Sequence, residues 1–378
     1  MKARLAATID LGERCALQVA DLDGRIFVVT RGALHAVAGG ALAPVIEPID
    51  VVDLSGGLVL TPHELVEIGG ARRALPPLDG AEPKALIALP DGAIIAVCHP
   101  QDQTAAAVMR LDRNGRVIWR NATPPPPVLM QTTTRRLSDG VETPGKPLVA
   151  TQWTIFRSDV CLSGDRVLAV FADMPRTGIG VGYGLDVATG AVVYTTPPAP
   201  YGELAPGPID GQFLVGMQGY GAFSSLLVDR DGDAVARWKS HGKLVSRDPL
   251  RVLEMSNVST APCHIATLRG DGSVHRGAHL PGYYTSPVLR TRDGAAVFWR
   301  DNAVMRASPD GDRIERMLET PATGNAWSAG FAGRAPGRAV LAWSGATEVD
   351  GTRVERNRLF VIDLEDHDST SIASTLLG

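Results

Sequence analysis

Two imidazoles stand where acid–base chemistry could be done: His63, just past the apolar run GGLVL at 56–60, and His99, directly after GAIIAVC at 92–98. Histidine titrates near neutral pH, so either could serve as a general base, with Tyr220 as a donor. Arg176 and Arg300 could hold an anionic group. Asp102, Asp173, Asp301, Tyr283 and Trp327 add carboxylates and aromatic surface that could orient a polar or peptidic ligand. Each of these residues also reads as an ordinary solvated loop tip. No complete catalytic motif accompanies them: there is no G-x-S-x-G elbow, no H-E-x-x-H and no histidine pair at i, i+2 on a single strand. Gly178, Gly180, Gly182 and Gly184 alternate as on a strand, where they allow close packing, and no helix follows to receive a phosphate. DRDGD at 229–233 resembles the start of a calcium loop, but the position six after its glycine is Trp238, where a glutamate is required. No metal and no cofactor is therefore expected.

The elements that would position these residues are written in the turns. The chain has 378 residues, with 41 Gly and 27 Pro, too few for a collagen-like or disordered chain and enough to demand many turns. Asp-Gly or a relative recurs at Asp23, Ser55, Asp91, Asn114, Ser163, Thr189, Asp210, Asp231, Asp271, Asp293 and Asp310, each followed by a short β-rich run. Such pairs accept the positive φ of tight hairpin turns. Helical periodicity is absent, so the chain reads as all β. One kind of turn precedes a continuous apolar run, at 24, 56, 92, 166, 211, 251, 294 and 338; the other follows an alternating strand that ends in an acidic residue.

The intervals between those apolar runs are 32, 36, 74, 45, 40, 43 and 44 residues. Apart from the 74 they lie near the roughly 40–45 residues of a four-stranded propeller blade of the WD40 kind. The second strand of a blade is buried on both faces and so reads as a continuous apolar run. The reading is a β-propeller of four-stranded antiparallel blades in one domain spanning 1–378. Counting the apolar runs gives eight blades, at 14–47, 48–80, 84–121, 152–197, 205–240, 242–280, 284–320 and 324–378; seven is the alternative, because the second is short and polar. The long interval holds an insertion at 122–151, rich in Pro, Thr and charge, which reads as a loop or an added hairpin.

The sequence LDVATGAVVY at Leu185–Tyr194, with weaker versions ending in Trp119 and Trp238, resembles the repeat of the PQQ-like β-propellers. That family includes quinoprotein dehydrogenases and the lipoprotein propeller of outer-membrane β-barrel assembly. The resemblance implies eight blades, with the aromatic that ends the motif docking one blade on the next. The dehydrogenases hold their cofactor against adjacent cysteines, and here Cys15, Cys98, Cys161 and Cys263 are all far apart in sequence. The assembly lipoprotein carries an export signal and a lipidated cysteine, and neither is read at this amino terminus. Only the fold is carried over.

The net charge of −4 comes without a cluster of Lys and Arg, so no nucleic-acid partner is expected. No stretch approaches the roughly 18 apolar residues of a membrane span, and the first residues lack the apolar run of a secretory signal, so the expectation is a cytoplasmic protein without membrane contact. Arginine far outnumbers the five lysines, a bias that suits a bacterial, high-GC coding genome. In a propeller the connections between second and third strands lie on one face around a central channel, and His63, His99, Asp102, Asp173, Arg176, Tyr220, Arg300 and Asp301 all fall in them. Tyr283 and Trp327 fall in the connections between blades. Two functions follow. One is a non-catalytic scaffold that binds a protein or peptide, or a small polar ligand, through this face; the other is an enzyme of the lyase, hydrolase or cyclase kind with its site at the channel mouth.

Overall fold

The apolar runs are strands buried on both faces: Ile94 to Val97 expose at most 1%, and Val167 to Ala169 and Val297 to Phe298 expose none. In the computed structural model each run is the second strand of a four-stranded antiparallel sheet, and eight such sheets make an eight-bladed β-propeller. The structure describes residues 1–76, 78, 81–100, 107–122, 128–135, 142–150, 157–173, 179–196, 201–219, 222–254, 263–280, 286–321, 325–349 and 352–365, and among these there is no helix. Blades 1 to 7 span 16–46, 53–74, 81–121, 157–195, 201–238, 242–280 and 289–319. Between blades 3 and 4, the strands Val128–Arg135 and Glu142–Ala150 form a separate antiparallel pair.

Blade 8 differs from the sequence reading, which drew it wholly from 324–378. Its first three strands are Asn325–Gly333, Gly337–Val349 and Thr352–Glu365, and its fourth is Lys2–Asp10 from the other end of the chain, paired from Lys2 opposite Glu365 to Asp10 opposite Arg358 with one register shift between Leu5 and Ala7. The segment KARLAATID alternates strictly between exposed and half-buried positions, the period of a strand with one packed face. Ala3 and Leu5 pack on the cluster of Phe331, Leu341, Trp343, Phe360 and Ile362.

Compactness divides the chain into one unit of 1–57, 220–225 and 236–378 and another of 58–219 and 226–235. The first holds blades 1, 6, 7 and 8 complete, and the second holds blades 3 and 4. Within each unit the same relation joins successive blades: the turn between the third and fourth strands of one blade rests on the fourth strand of the blade before it. In the second unit the ring of Tyr194 lies where a Cβ on Gly232 would be, 2.5 Å away, and Trp119 likewise fills the space beside Gly190. Both glycines have positive φ, +95° and +71°, so backbone conformation and lack of space independently demand glycine there. In the first unit the indole Nε1 of Trp238 donates to the carbonyl of Arg269 at 2.7 Å, and Ala278 N donates to the carbonyl of Gly311 at 2.9 Å. Trp119, Tyr194 and Trp238 thus each dock the last strand of one blade on a turn of the next.

The acidic residues that open these turns have a local task. Asp112 Oδ1 accepts from the backbone N–H of Asn114 and Arg116 at 2.7 and 2.9 Å, and Asp229 Oδ1 accepts from Asp231 and Asp233 at 3.0 and 2.9 Å. The carboxylate thereby satisfies donors that the tight turn leaves unpaired. Backbone N–H donation holds the Asp112 carboxyl below its usual range. In the DRDGD segment Asp229 is thus engaged by its own turn. The alternating glycines of blade 4 make room for side chains of the neighbouring strand: the Tyr194 ring covers Gly184, and Gly182 N donates to Thr196 Oγ1 at 2.7 Å.

Candidate functional site

The residues proposed from sequence are distributed as follows. His63 lies in the short connection 61–63 of blade 2; its imidazole is exposed and its carbonyl accepts from Leu75 N at 2.9 Å. His99 sits on the second strand of blade 3 opposite Glu82, and Asp173 ends the second strand of blade 4 opposite Ile179. Trp327 lies on the first strand of blade 8. For His99, Asp173 and Trp327 only the backbone is described. Asp102, Arg176, Tyr220 and Tyr283 lie outside the described residues. Arg300 ends the second strand of blade 7 and is fully buried. Asp301 and Asn302, with φ of 47° and 58°, form the two-residue turn that follows. Arg316 donates from Nη1 to Asp301 Oδ2 at 3.1 Å and from Nε to Glu319 Oε1 at 2.8 Å.

A denser polar arrangement, absent from the sequence reading, lies at the corresponding end of blade 6 in the first unit. Glu254 ends the second strand, Leu250–Glu254, and its carboxylate is buried, with 8% of the side chain exposed. Three donors converge on it. Ser240 Oγ donates to Oε1 at 2.8 Å, Arg276 Nε donates to the same oxygen at 2.9 Å, and His264 Nδ1 lies 3.1 Å from Oε2. Because an ionised carboxylate can only accept, His264 bonded to it carries a proton on Nδ1. The His279 ring stands edge-on to that of His264, with centroids 5.6 Å apart. The guanidinium of Arg276 is also tied to the backbone, Nη2 donating to the carbonyl of Lys239 at 3.3 Å.

Strand register assembles this group. Leu253 pairs with Ile265, which sets Glu254 beside His264, and His264 pairs with His279 on the fourth strand. A buried carboxylate is costly unless its charge and lone pairs are satisfied, and Arg276, Ser240 and His264 do this. Exposure rises outward, from 8% for Glu254 through 18% for His264 to 44% for Arg276. The acid therefore acts as a buried anchor beneath a part-exposed imidazole and a more exposed guanidinium. The serine donates to the carboxylate and not to the imidazole, so the group lacks the hydroxyl-to-imidazole contact that activates a serine nucleophile. Among the described residues no group of three or more His, Cys, Asp and Glu is placed to hold a metal. The one sequence signal for this site is the acid that directly follows the apolar Val252 and Leu253.

No protein-family model matches the sequence, and no curated protein matches it. Solved structures do. The propeller of Dos1 superposes with a TM-score of 0.56 at 11% identity, covering 96% of this chain and 95% of that one. The CNH domain of AfRom2 aligns over 96% of this chain and 99% of its own, at 9% identity and a TM-score of 0.45. At such identity the likeness to the Dos1 propeller is one of fold, and it agrees with the eight four-stranded blades: the chain is an eight-bladed β-propeller.

Proposed function

We propose that the protein is a non-catalytic scaffold, built from PQQ-like propeller repeats, that binds a protein or peptide partner through the connections between the second and third strands of its blades. The observation that carries this reading is a contrast between the two ends of each sheet. Third-to-fourth-strand turns are short and much alike, as at 112–116, 187–191, 229–233 and 269–273. Second-to-third-strand connections vary from two residues at 301–302 to eight at 255–262, and the long excursion at 122–156 leaves from the same end. A constant frame with loops varied at one end is how rigid scaffolds carry recognition. The docking of Trp119 and Tyr194 on the following blade supports the PQQ-like reading.

A random peptide library displayed on phage and panned against the whole protein tests the proposal. Replacing 255–262 by a two-residue Asn-Gly turn, and 101–106 in the same way, should leave the thermal transition in place and abolish binding of the enriched peptides. Peptides that bind the shortened protein as well as the parent overturn the reading. An enzyme is the second reading, and it draws on the Glu254–His264 contact, a carboxylate-oriented imidazole of the kind general bases use. Turnover in a hydrolase and lyase substrate screen that disappears in His264→Gln would favour it.

A further inference from the structure

We propose that His264 and Arg276 in blade 6 form a carboxylate-binding site that selects acidic peptides; the inference rests on the scaffold reading and names the chemistry of its partner. Glu254 holds both groups by one carboxylate, Arg276 on Oε1 and His264 on Oε2, so the two leave a single anchor in fixed orientations. Arg276 spends Nε on the anchor and Nη2 on the Lys239 carbonyl, which leaves Nη1 free to donate. His264 spends Nδ1 and leaves Nε2. A carboxylate presents two acceptor oxygens and suits two such donors held in place.

The charge around the pair points the same way. Lys239 and His279 are exposed beside it. The only carboxylate described in contact with the pair, Glu254, is buried and already satisfied by three donors. Arg276 and Lys239 are thus exposed cations beside a neutralised acid, in a protein whose net charge is −4. Nε2 donates when the ring is an imidazolium, and in that form the pair offers a carboxylate two donors above the buried Glu254.

Fluorescence anisotropy of the whole protein with a fluorescein-labelled peptide of four glutamates, beside its four-glutamine counterpart, tests the site at about pH 6. The acidic peptide should bind at least roughly tenfold more tightly than the neutral one, the scale of one charge-assisted hydrogen bond. Arg276→Lys should weaken it several-fold by losing the fixed fork. His264→Gln should also weaken it several-fold, because a single amide nitrogen replaces the two fixed ring nitrogens. Because Arg276→Gln alone would strand a buried charge, the double variant Glu254→Gln with Arg276→Gln removes both and should lose binding with the fold retained. Arg116→Gln, in a turn of blade 3, should bind like the parent. Equal binding of the two peptides, or parental affinity in both Arg276→Lys and His264→Gln, overturns the site. Competition by inorganic phosphate as effective as competition by unlabelled acidic peptide overturns the selection of peptides. Failure here is separable from failure of the scaffold, which is judged on panned peptides of any charge.

Discussion

Trp119 Nε1 donates a 2.9 Å hydrogen bond to the carbonyl oxygen of Val187, so the last strand of blade 3 is fastened to a turn of blade 4. The same indole occupies the space beside Gly190, and Asn121 Nδ2 donates to the Gly190 carbonyl at 3.0 Å. Trp119→Phe keeps a ring and loses the bond, and should cost about 1 kcal/mol. Gly190→Ala places a methyl into the indole and forces alanine to a φ of +71°, and should cost about 2 to 4 kcal/mol. Urea denaturation of the whole chain orders the two. A Gly190→Ala protein as stable as the parent would remove this junction from the account of what holds the blades together.

The amino-terminal strand makes a second contrast. Arg4 reaches Asp363 at 2.8 Å, yet 69% of its side chain is exposed and Asp363 also takes Arg338 at 3.0 Å. Solvent screens such a pair, so Arg4→Ala should change stability by no more than about 0.5 kcal/mol. Leu5, one residue on, faces the Phe331–Trp343–Phe360 cluster. Leu5→Asp puts a charge against that cluster and should cost at least about 2 kcal/mol, with earlier loss of the amino-terminal strand in hydrogen exchange. If the two substitutions prove equivalent, packing is not what seats the strand.

The blades were legible because burial on both faces leaves a mark that needs no partner to be read: AIIAVC at 93–98 is apolar at every position. The closing strand was not, because its partner Thr352–Glu365 lies at the other end of the chain and no local pattern names it. Arg300 shows a different limit. As the charged end of GAAVFWR at 294–300 it reads as a loop tip, but the two-residue turn at Asp301 and Asn302 keeps it on the sheet, where it is buried. Glu254 and His264 meet through strand register across a connection of eight residues, and spacing in sequence carries no information about register.

Thiol chemistry separates the described cysteines. Cys98 is 1% exposed in the second strand of blade 3, and burial pushes its pKa up to about 12. The thiolate is the reactive form, so Cys98 should resist alkylation in the native protein near pH 8. Cys161 is buried as well, and Cys15 is exposed. Iodoacetamide followed by peptide mass mapping should modify Cys15 within minutes, and Cys98 and Cys161 only after unfolding. Modification of Cys98 at the rate of Cys15 would mean that blade 3 opens far more readily than its buried strand implies.

His35 should make blade 1 sensitive to acid. Its side chain is buried on the third strand, with Nε2 3.1 Å from Thr30 Oγ1 and Nδ1 buried without a partner. Burial, reinforced by the charge of Arg14 and partly offset by Glu47, lowers its pKa below the ordinary 6.5. As pH falls through about 6.5 the unfolded chain takes up a proton that the folded chain refuses, so stability present above that value is lost below it. His35→Gln can still reach Thr30 but does not titrate. Every other group titrates alike in the two proteins, so the difference between their losses isolates His35. Between about pH 7.5 and about pH 5.5 the urea midpoint of the parent should therefore fall further than that of His35→Gln, and parallel falls would show that the imidazole is protonated in the folded state with no penalty.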